Sequence, residues 1–368
     1  MQIQRAWAEI DRQTLKNNFR YTQKRTNARI LTMVKANAYG HGAVEAARTF
    51  TECGAAMLGV ACASEALELH TAGIRTPILI AGYVPEAELE TAINVGARIC
   101  VSSFADAVII SRKAVSCGKQ AILHIKVDTG MRRLGFLPER EESFPDIMRI
   151  FDLPGIEVEG IFTHFPCADE ADTEVTICAF QKFLLFAEAV EKKQNTVLIK
   201  HAANSAAIFR FPEMHLDMVR AGICLYGDTP VPGADLPLYE AMTVKATIGR
   251  VADIKKGDSV GYGATFRAEH DMRIATVLIG YGDGISRALS NRGYAICKGK
   301  KVPIIGRVCM DQLMLDVTGI EAKSGETVTI RGKEGEVQVS TRETADLLGT
   351  ISYEVFCNVG ERIPRIYV

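Results

Sequence analysis

Residues 77–127 read PILIAGYVPEAELETAINVGARICVSSFADAVIISRKAVSCGKQAILHIKV. Three short apolar runs stand in this stretch: PILIAG (77–82), ARICVSS (97–103) and AILHIKV (121–127). Between them lie EAELETAINVG and FADAVIISRKAVSCG, whose apolar residues recur at helical spacing and which stop at Gly96 and Gly118. A glycine just past the last turn is a common helix stop, because it enters the left-handed region without a Cβ penalty. The runs are almost continuously apolar, as strands are when helices cover both faces of a parallel sheet.

The same alternation extends in both directions. ILTMV (30–34) and MLGVAC (57–62) come before, and VEGIFTH (158–164), TVLIKH (196–201) and DMVRAG (217–222) come after. Amphipathic stretches such as AFQKFLLFAEAVEKK separate them, and further stops fall at Gly54 and Gly73. Eight βα repeats ending near residue 227 predict a closed (β/α)8 barrel. An open doubly wound sheet is the alternative, but no GxGxxG follows the first strand. Beyond residue 235 the pattern changes to strands broken by Gly, Lys and Asp turns, as in VKATIGRVADIKKGDSVGYG and YAICKGKKVPIIGRVCMDQLMLDV. One short helix, TRETADLLG, interrupts them. The expected organisation is a barrel over 1–235 and a mostly β domain over 236–368. The strand-like opening RAWAEIDR is a candidate to pair with the second domain instead of the barrel.

The chain has 368 residues, 48% of them hydrophobic, and a formal net charge of −1. It has no basic or acidic block, which argues against nucleic-acid or membrane-surface partners. No apolar run reaches the roughly 20 residues that span a bilayer, and the first residues carry no apolar signal-peptide core. Ten cysteines contain no CxxC pair and lie inside apolar runs. They read as reduced core residues of a cytoplasmic protein, not as a zinc site.

In such a barrel the chemistry sits at the C-terminal ends of the strands. The first run delivers Lys35 in VKANAYGHG (34–42), with Tyr39 and His41 beyond it. The fifth delivers Lys126, Asp128, Arg132 and Arg133 in KVDTGMRRLG, and the sixth delivers His164. The seventh delivers His201, Asn204 and Ser205 in HAANSAA, and the eighth delivers Arg220 and Gly222 in MVRAG. His70, His124, His215 and His270 read as structural. A metal does not suit this set, because the histidines are scattered and carboxylates are few. Phosphate suits it: NSAA opens a helix, and Ser205 with the Gly222 backbone can cradle a dianion. A lysine at a strand mouth can lose its proton and form a Schiff base. Pyridoxal 5′-phosphate (PLP) carries both a phosphate and an aldehyde. The competing reading is a Schiff-base aldolase that holds a sugar phosphate. Arg220 separates kinds of PLP chemistry. A guanidinium keeps its proton, so beside the pyridine nitrogen it leaves the ring unprotonated and a weak electron sink, which suits racemisation.

Several motifs carry a resemblance across nearly the whole chain: AWAEID, VKANAYGHG, KVDTGMRRLGF, GIFTHF, HAANSAA, MVRAGICLYG, VGYGATF, IGYGDG, GRVCMDQ and ISYEVFC. In this order they resemble the alanine racemase family, PLP enzymes of fold type III. The resemblance implies that Lys35 holds the cofactor and acts as the base on one face of the substrate. Tyr262 resembles the base on the other face, contributed by the partner subunit of a homodimer with shared active sites. Arg220 resembles the arginine at the pyridine nitrogen. Tyr39, Ser205, Gly222, Ile223 and Tyr353 resemble the phosphate-binding set, with His164 and Asn204 in support. Arg133 and the Met310 backbone amide resemble the holders of the substrate carboxylate, and Lys126 the lysine often carbamylated to orient that arginine. Tyr281 resembles an entrance residue, and Cys309 and Asp311 line the site. No metal is implied.

The implied activity is interconversion of L- and D-alanine, supplying D-amino acid for peptidoglycan. Three positions depart from the family pattern. Arg132 stands where relatives often carry a small residue, Gly261 where serine is common and Ser352 where asparagine is common. These leave open a serine or dual serine/alanine racemase of the glycopeptide-resistance type, while the bulk of Tyr353 leans to alanine. A PLP-homeostasis binding protein would lack the β domain, and a PLP decarboxylase would want a carboxylate in place of Arg220.

Overall fold

Eight short strands make the parallel sheet in a computed structural model that describes residues 4–231 and 233–368. Met1–Ile3, ahead of the strand-like opening, and Pro232 lie outside the described residues. A separate strand, β1 (Ala6–Ile10), comes first in the chain. The barrel strands are β2 (Arg29–Met33), β3 (Met57–Val60), β4 (Ile78–Ile80), β5 (Arg98–Val101), β6 (Ala121–Lys126), β7 (Ile156–Phe162), β8 (Ile199–His201) and β9 (Met218–Ala221). They pair in the order β8-β7-β6-β5-β4-β3-β2-β9. The seam between β8 and β9 has no regular ladder. Two backbone bonds bridge it: Asp217 N–H to the Lys200 carbonyl at 3.1 Å and Arg220 N–H to the Ala203 carbonyl at 2.9 Å.

The strands are shorter than their apolar runs because helix caps claim the ends. Ser103 closes the run 97–103 as an N-cap, its side chain accepting from Asp106 N–H at the start of the helix Phe104–Ser116. The run 196–201 loses its first half. Asn195 ends the helix Glu174–Gln194 in the left-handed region, and Glu191 of that helix takes Leu198 N–H at 2.8 Å. The four predicted glycine stops, Gly54, Gly73, Gly96 and Gly118, all have positive φ. At each of them a Cβ would meet nothing within 4 Å, so backbone conformation, not space, selects glycine there.

The second half contains β10 (Met242–Ile254), β11 (Ser259–Val260), β12 (Phe266–Arg267), β13 (Met272–Val277), β14 (Tyr294–Cys297), β15 (Lys300–Ile305), β16 (Leu313–Asp316), β17 (Thr327–Glu334), β18 (Val337–Val339) and β19 (Arg365–Tyr367). β10 pairs with both β13 and β17, and β13-β16-β15-β14-β17 completes a ring back to it. β1 pairs antiparallel with β10 and parallel with β19. The helix Thr341–Leu348 has Ser340 as its N-cap and Gly349 as its left-handed stop. A second helix, Ser352–Cys357, is too short to show a period in the sequence. One apolar core runs from the barrel into the β domain, and a small separate one, Val260, Ile305 and Met314, underlies the β11–β12 hairpin.

All ten cysteines are free. The reading of them as core residues needs correction. Cys100, Cys224 and Cys297 are buried, but Cys178 and Cys357 are exposed, on helix faces where apolar neighbours in sequence point elsewhere. No helix of the described residues is long and apolar enough to cross a membrane.

Candidate active site

Lys35 leaves the barrel where β2 ends, and the backbone then does something unusual. Ala36, Asn37, Ala38 and Tyr39 all take φ of 51–53°, a left-handed turn that Gly40 closes at φ 80°. For L-residues this costs about 1–2 kcal/mol each, so surrounding bonds must hold it. Glu65, at the start of the helix after β3, accepts from Ala36 N–H and from Ala61 N–H, each at 2.7 Å. Asn37 accepts from Ala43 N–H at 2.8 Å. The buried His41 ring bonds through Nδ1 to the carbonyls of Ala38 and Tyr39 at 3.1 and 2.9 Å. Burial lowers the His41 pKa to about 3, so Nδ1 carries the only ring proton and donates it.

Lys35 is an exposed residue at the end of the first barrel strand, but protein packed around it desolvates its amine. That desolvation lowers its pKa, and the Arg133 guanidinium lowers it further. A lysine so placed is readily freed of its proton, as covalent attachment to an aldehyde requires. Lys126, at the end of β6, lies 4.6 Å from the Phe162 ring centroid. Burial and then Arg220 push its pKa down to about 7.

Arg220, on β9, is buried. Its Nη1 bonds to His201 Nδ1 at 3.1 Å and to the His201 carbonyl at 2.9 Å. Nη2 reaches the carbonyls of Thr163 (2.7 Å) and Ala202 (2.8 Å), and His164 Nδ1 at 3.3 Å. The Nε–H is left without a protein partner among the described residues. Burial, and then Arg133, lower its pKa to about 9, so the group is still a cation at neutral pH. His164 is held neutral by burial and by Arg220 beside it.

Beside Arg220, Gly222 donates its N–H to Ser205 Oγ at 2.9 Å. A Cβ on Gly222 would stand 2.9 Å from Tyr39 Oη and 3.6 Å from Ser205 Oγ, so only glycine keeps this space clear. Ile223 opens a single helical turn, Ile223–Tyr226, whose first N–H groups have no intrahelical partner. Tyr353 comes from the helix Ser352–Cys357 of the β domain, its ring 6.0 Å from that of Tyr39. Asn204 caps the helix Ser205–Arg210, accepting from Ala207 N–H at 3.1 Å. Asp128 accepts from Gly130 N–H and Arg133 N–H, both at 2.9 Å, and so shapes the loop that presents Arg133.

The predicted residues fall into two groups. Lys35, Tyr39, Lys126, Arg133, His164, Asn204, Ser205, Arg220, Gly222, Ile223 and Tyr353 surround the barrel mouth. Tyr262, Tyr281, Cys309, Met310 and Asp311 lie together on the β domain. There Tyr281 N–H donates to the Cys309 carbonyl at 2.9 Å and Gly282 N–H to that of Met310 at 2.9 Å. Asp311 pairs with Arg362 at 2.9 Å. No hydrogen bond, ion pair or ring contact joins the two groups among the described residues. Tyr262 is 70% exposed and Met310 53% exposed. Glu65 is absent from the sequence reading. Its only signal is an acidic residue in the first turn after a barrel strand, a common capping position.

The donor set fits PLP on this structure's own terms. A deprotonatable lysine shares the barrel mouth with a cleared cradle that has the Ser205 and Tyr39 hydroxyls and helix-start amides, and the buried Arg220 keeps one N–H unspent. Fold and site together define a barrel enzyme dependent on PLP. Residues 10–230 match the family described as Alanine racemase, N-terminal domain, and residues 241–367 match Alanine racemase, C-terminal domain. The chain is 45% identical to an alanine racemase of Methanococcus maripaludis, over 98% of each chain. It is 43% identical to one of Desulforamulus reducens, also over 98% of each. Among solved structures, alanine racemase of Clostridium difficile 630 superposes with a TM-score of 0.94 at 37% identity, covering 99% of this chain and 96% of that one. The Bacillus anthracis alanine racemase with bound L-Ala-P gives 0.91 at 33% identity, covering 99% and 95%. The chain belongs to the alanine racemase family.

Proposed function

We propose that this chain interconverts L- and D-alanine with PLP attached through Lys35, using two bases on opposite faces of the substrate. PLP, when bound, draws electrons from the Cα–H bond of the amino acid it carries. The protein's part is to place proton carriers. Lys35 Nζ, with its lowered pKa, takes or returns a proton on one face. The opposite face needs a second group, and Tyr262, exposed on the β domain and out of contact with its own Lys35, fits as one supplied by a second copy. A homodimer with shared sites follows from that assignment.

Arg133 and the Met310 backbone amide hold the substrate carboxylate in this reading. Lys126, neutral in a large fraction of molecules near pH 7, suits carbamylation that would orient Arg133. Tyr39, Ser205, Gly222, Ile223 and Tyr353 hold the phosphate, supported by His164 and Asn204. Tyr281 stands at the entrance, and Cys309 and Asp311 line the site. The proposed setting is the cytoplasm, supplying D-alanine for peptidoglycan, with the division between barrel and β domain near residue 235.

The observation that carries the reading is Arg220. A buried cation with its Nε–H unspent stands where a decarboxylase would want a carboxylate. Tyr353 at the mouth favours a methyl side chain over a larger one, so alanine is preferred to serine. The test is purified protein incubated with L-Ala and with L-Ser separately, following optical rotation and CO₂. Loss of chirality without CO₂, faster for alanine, is expected. CO₂ release, or faster turnover of serine, would overturn the activity or the substrate respectively.

A further inference from the structure

Behind Arg220 the barrel interior holds a line of polar side chains that the roles above leave unused. Arg220 Nη1 meets His201 Nδ1 at 3.1 Å, His201 Nε2 meets His124 Nδ1 at 2.9 Å, and His124 Nε2 meets Glu159 Oε2 at 2.8 Å. Arg98 closes the far end with two bonds to the Glu159 carboxylate, at 3.0 and 2.9 Å. Both histidines are fully buried, and the Phe162 ring stacks on His201 at 4.7 Å. Five strands, β5 to β9, contribute one member each, so the line crosses the barrel interior.

Counting protons gives the line one direction. A guanidinium only donates, so His201 Nδ1 must accept and its proton sits on Nε2. His124 Nδ1 must then accept from His201, which puts the His124 proton on Nε2, where it donates to the Glu159 carboxylate. Each ring is thereby neutral and in a single tautomer. A second proton on His124 would reverse the line. Its Nδ1–H would donate to His201 Nε2, and His201 would turn an N–H against Arg220 Nη1.

We propose that Glu159 and His124 are positioning residues for the racemase reaction: by taking the His201 Nε2 proton in a hydrogen bond they lock that ring in the tautomer that accepts from Arg220, which holds the guanidinium in place with Nε–H as its free donor. The proposal rests on the reading that Arg220 faces the cofactor. Its logic is that of an orienting carboxylate behind a histidine, extended by one more ring. A carboxylate beside Arg220 itself would compete for the donor that the cofactor needs. Glu159 stands two imidazoles away and is itself engaged by Arg98, so it orients without competing. His124, a histidine inside an apolar strand, thereby gains a part in function as well as in packing.

The test is ¹⁵N NMR of histidine-labelled holoenzyme at pH 7.5, with the ring signals assigned by substituting His124 and His201 in turn. Both rings are expected neutral with the proton on Nε2. A charged ring, or Nδ1–H on either, would overturn the proposal. Glu159→Gln keeps an acceptor oxygen and should preserve both tautomers. Glu159→Leu removes the acceptor, and with Arg98→Met in the same chain no unpaired arginine is left behind. That double variant should lose the His201 tautomer signature, shift the absorbance of bound PLP and lower kcat about 10-fold or more with KM for alanine nearly unchanged. A double variant that folds with wild-type His201 signals and kcat would defeat the proposal. Should it fail to fold, the tautomers of the wild type and of Glu159→Gln decide alone. A wild-type protein that binds no PLP would defeat the functional reading instead, while the tautomer result stands on the protein's own histidines.

Discussion

Lys35 and Glu159 show how one side chain's surroundings set its chemistry. Lys35 is flanked by cations and partly walled from water, and its pKa falls. Lys35→Ala should leave the fold intact, release PLP on dialysis and abolish racemisation in both directions. Retained activity with non-exchanging PLP would remove Lys35 from its role. Glu159 is the opposite case. Burial pushes its pKa up, but the His124 N–H and the Arg98 guanidinium outweigh burial and hold it at about 2 against an ordinary 4.5. A carboxylate with a depressed folded pKa contributes stability above its unfolded value and loses it as pH falls through the folded one. Glu159→Gln should therefore be less stable than the wild type at pH 7 and converge with it between pH 4.5 and pH 2. Urea unfolding at stepped pH measures this. A constant difference across that window would mean that Glu159 is not held by these partners.

At the scale of elements, loops carry the strain and strands supply the frame. The turn at residues 36–39 is left-handed throughout, and Glu65, Asn37 and His41 stabilise it. Arg132 also sits at positive φ, 56°, in the loop after β6. Its side chain is exposed and paired with an exposed Glu139, an arrangement worth little. Arg132→Gly relieves the left-handed penalty, so it should be neutral or stabilising by up to about 1 kcal/mol, read as the urea midpoint at unchanged slope. A clear loss of stability would mean that the Arg132 side chain holds the loop. The β11–β12 hairpin presents Tyr262 over its own small core, so changing that ring leaves the barrel untouched. Tyr262→Phe should keep PLP bound and suppress solvent-deuterium exchange at Cα of L-alanine more than of D-alanine. Equal exchange from both enantiomers at wild-type rates would refute the assignment of the two faces.

At the scale of the whole molecule, the two groups of predicted site residues do not meet within one chain. If sites are shared between copies in a two-fold dimer, a mixed dimer of Lys35→Ala and Tyr262→Phe chains has one site with both bases intact and one with neither. Random mixing makes about half of the dimers mixed, so activity should return to about a quarter of wild type. No recovery after demonstrated subunit exchange would exclude shared sites.

The barrel was legible in the sequence because covered parallel strands are apolar along their whole length and their helices end in left-handed glycines. Those patterns need only near neighbours. They also locate strand ends, so the sequence itself assigns Lys35, Lys126, His164, Ser205 and Arg220 to one mouth of the barrel. Strand lengths were less legible, because a cap such as Ser103 or a side chain such as Glu191 takes the backbone groups a strand would use, and an apolar run does not record that. The left-handed turn after Lys35 was hidden, since alanine and tyrosine disfavour it and the one residue that tolerates it, Asn37, does not announce a run of four. It exists because Glu65, thirty residues on in sequence, accepts its first N–H. The line from Glu159 to Arg220 was hidden too. Its direction depends on which ring nitrogen faces which neighbour across five strands, and only the closed barrel brings those atoms within hydrogen-bonding distance.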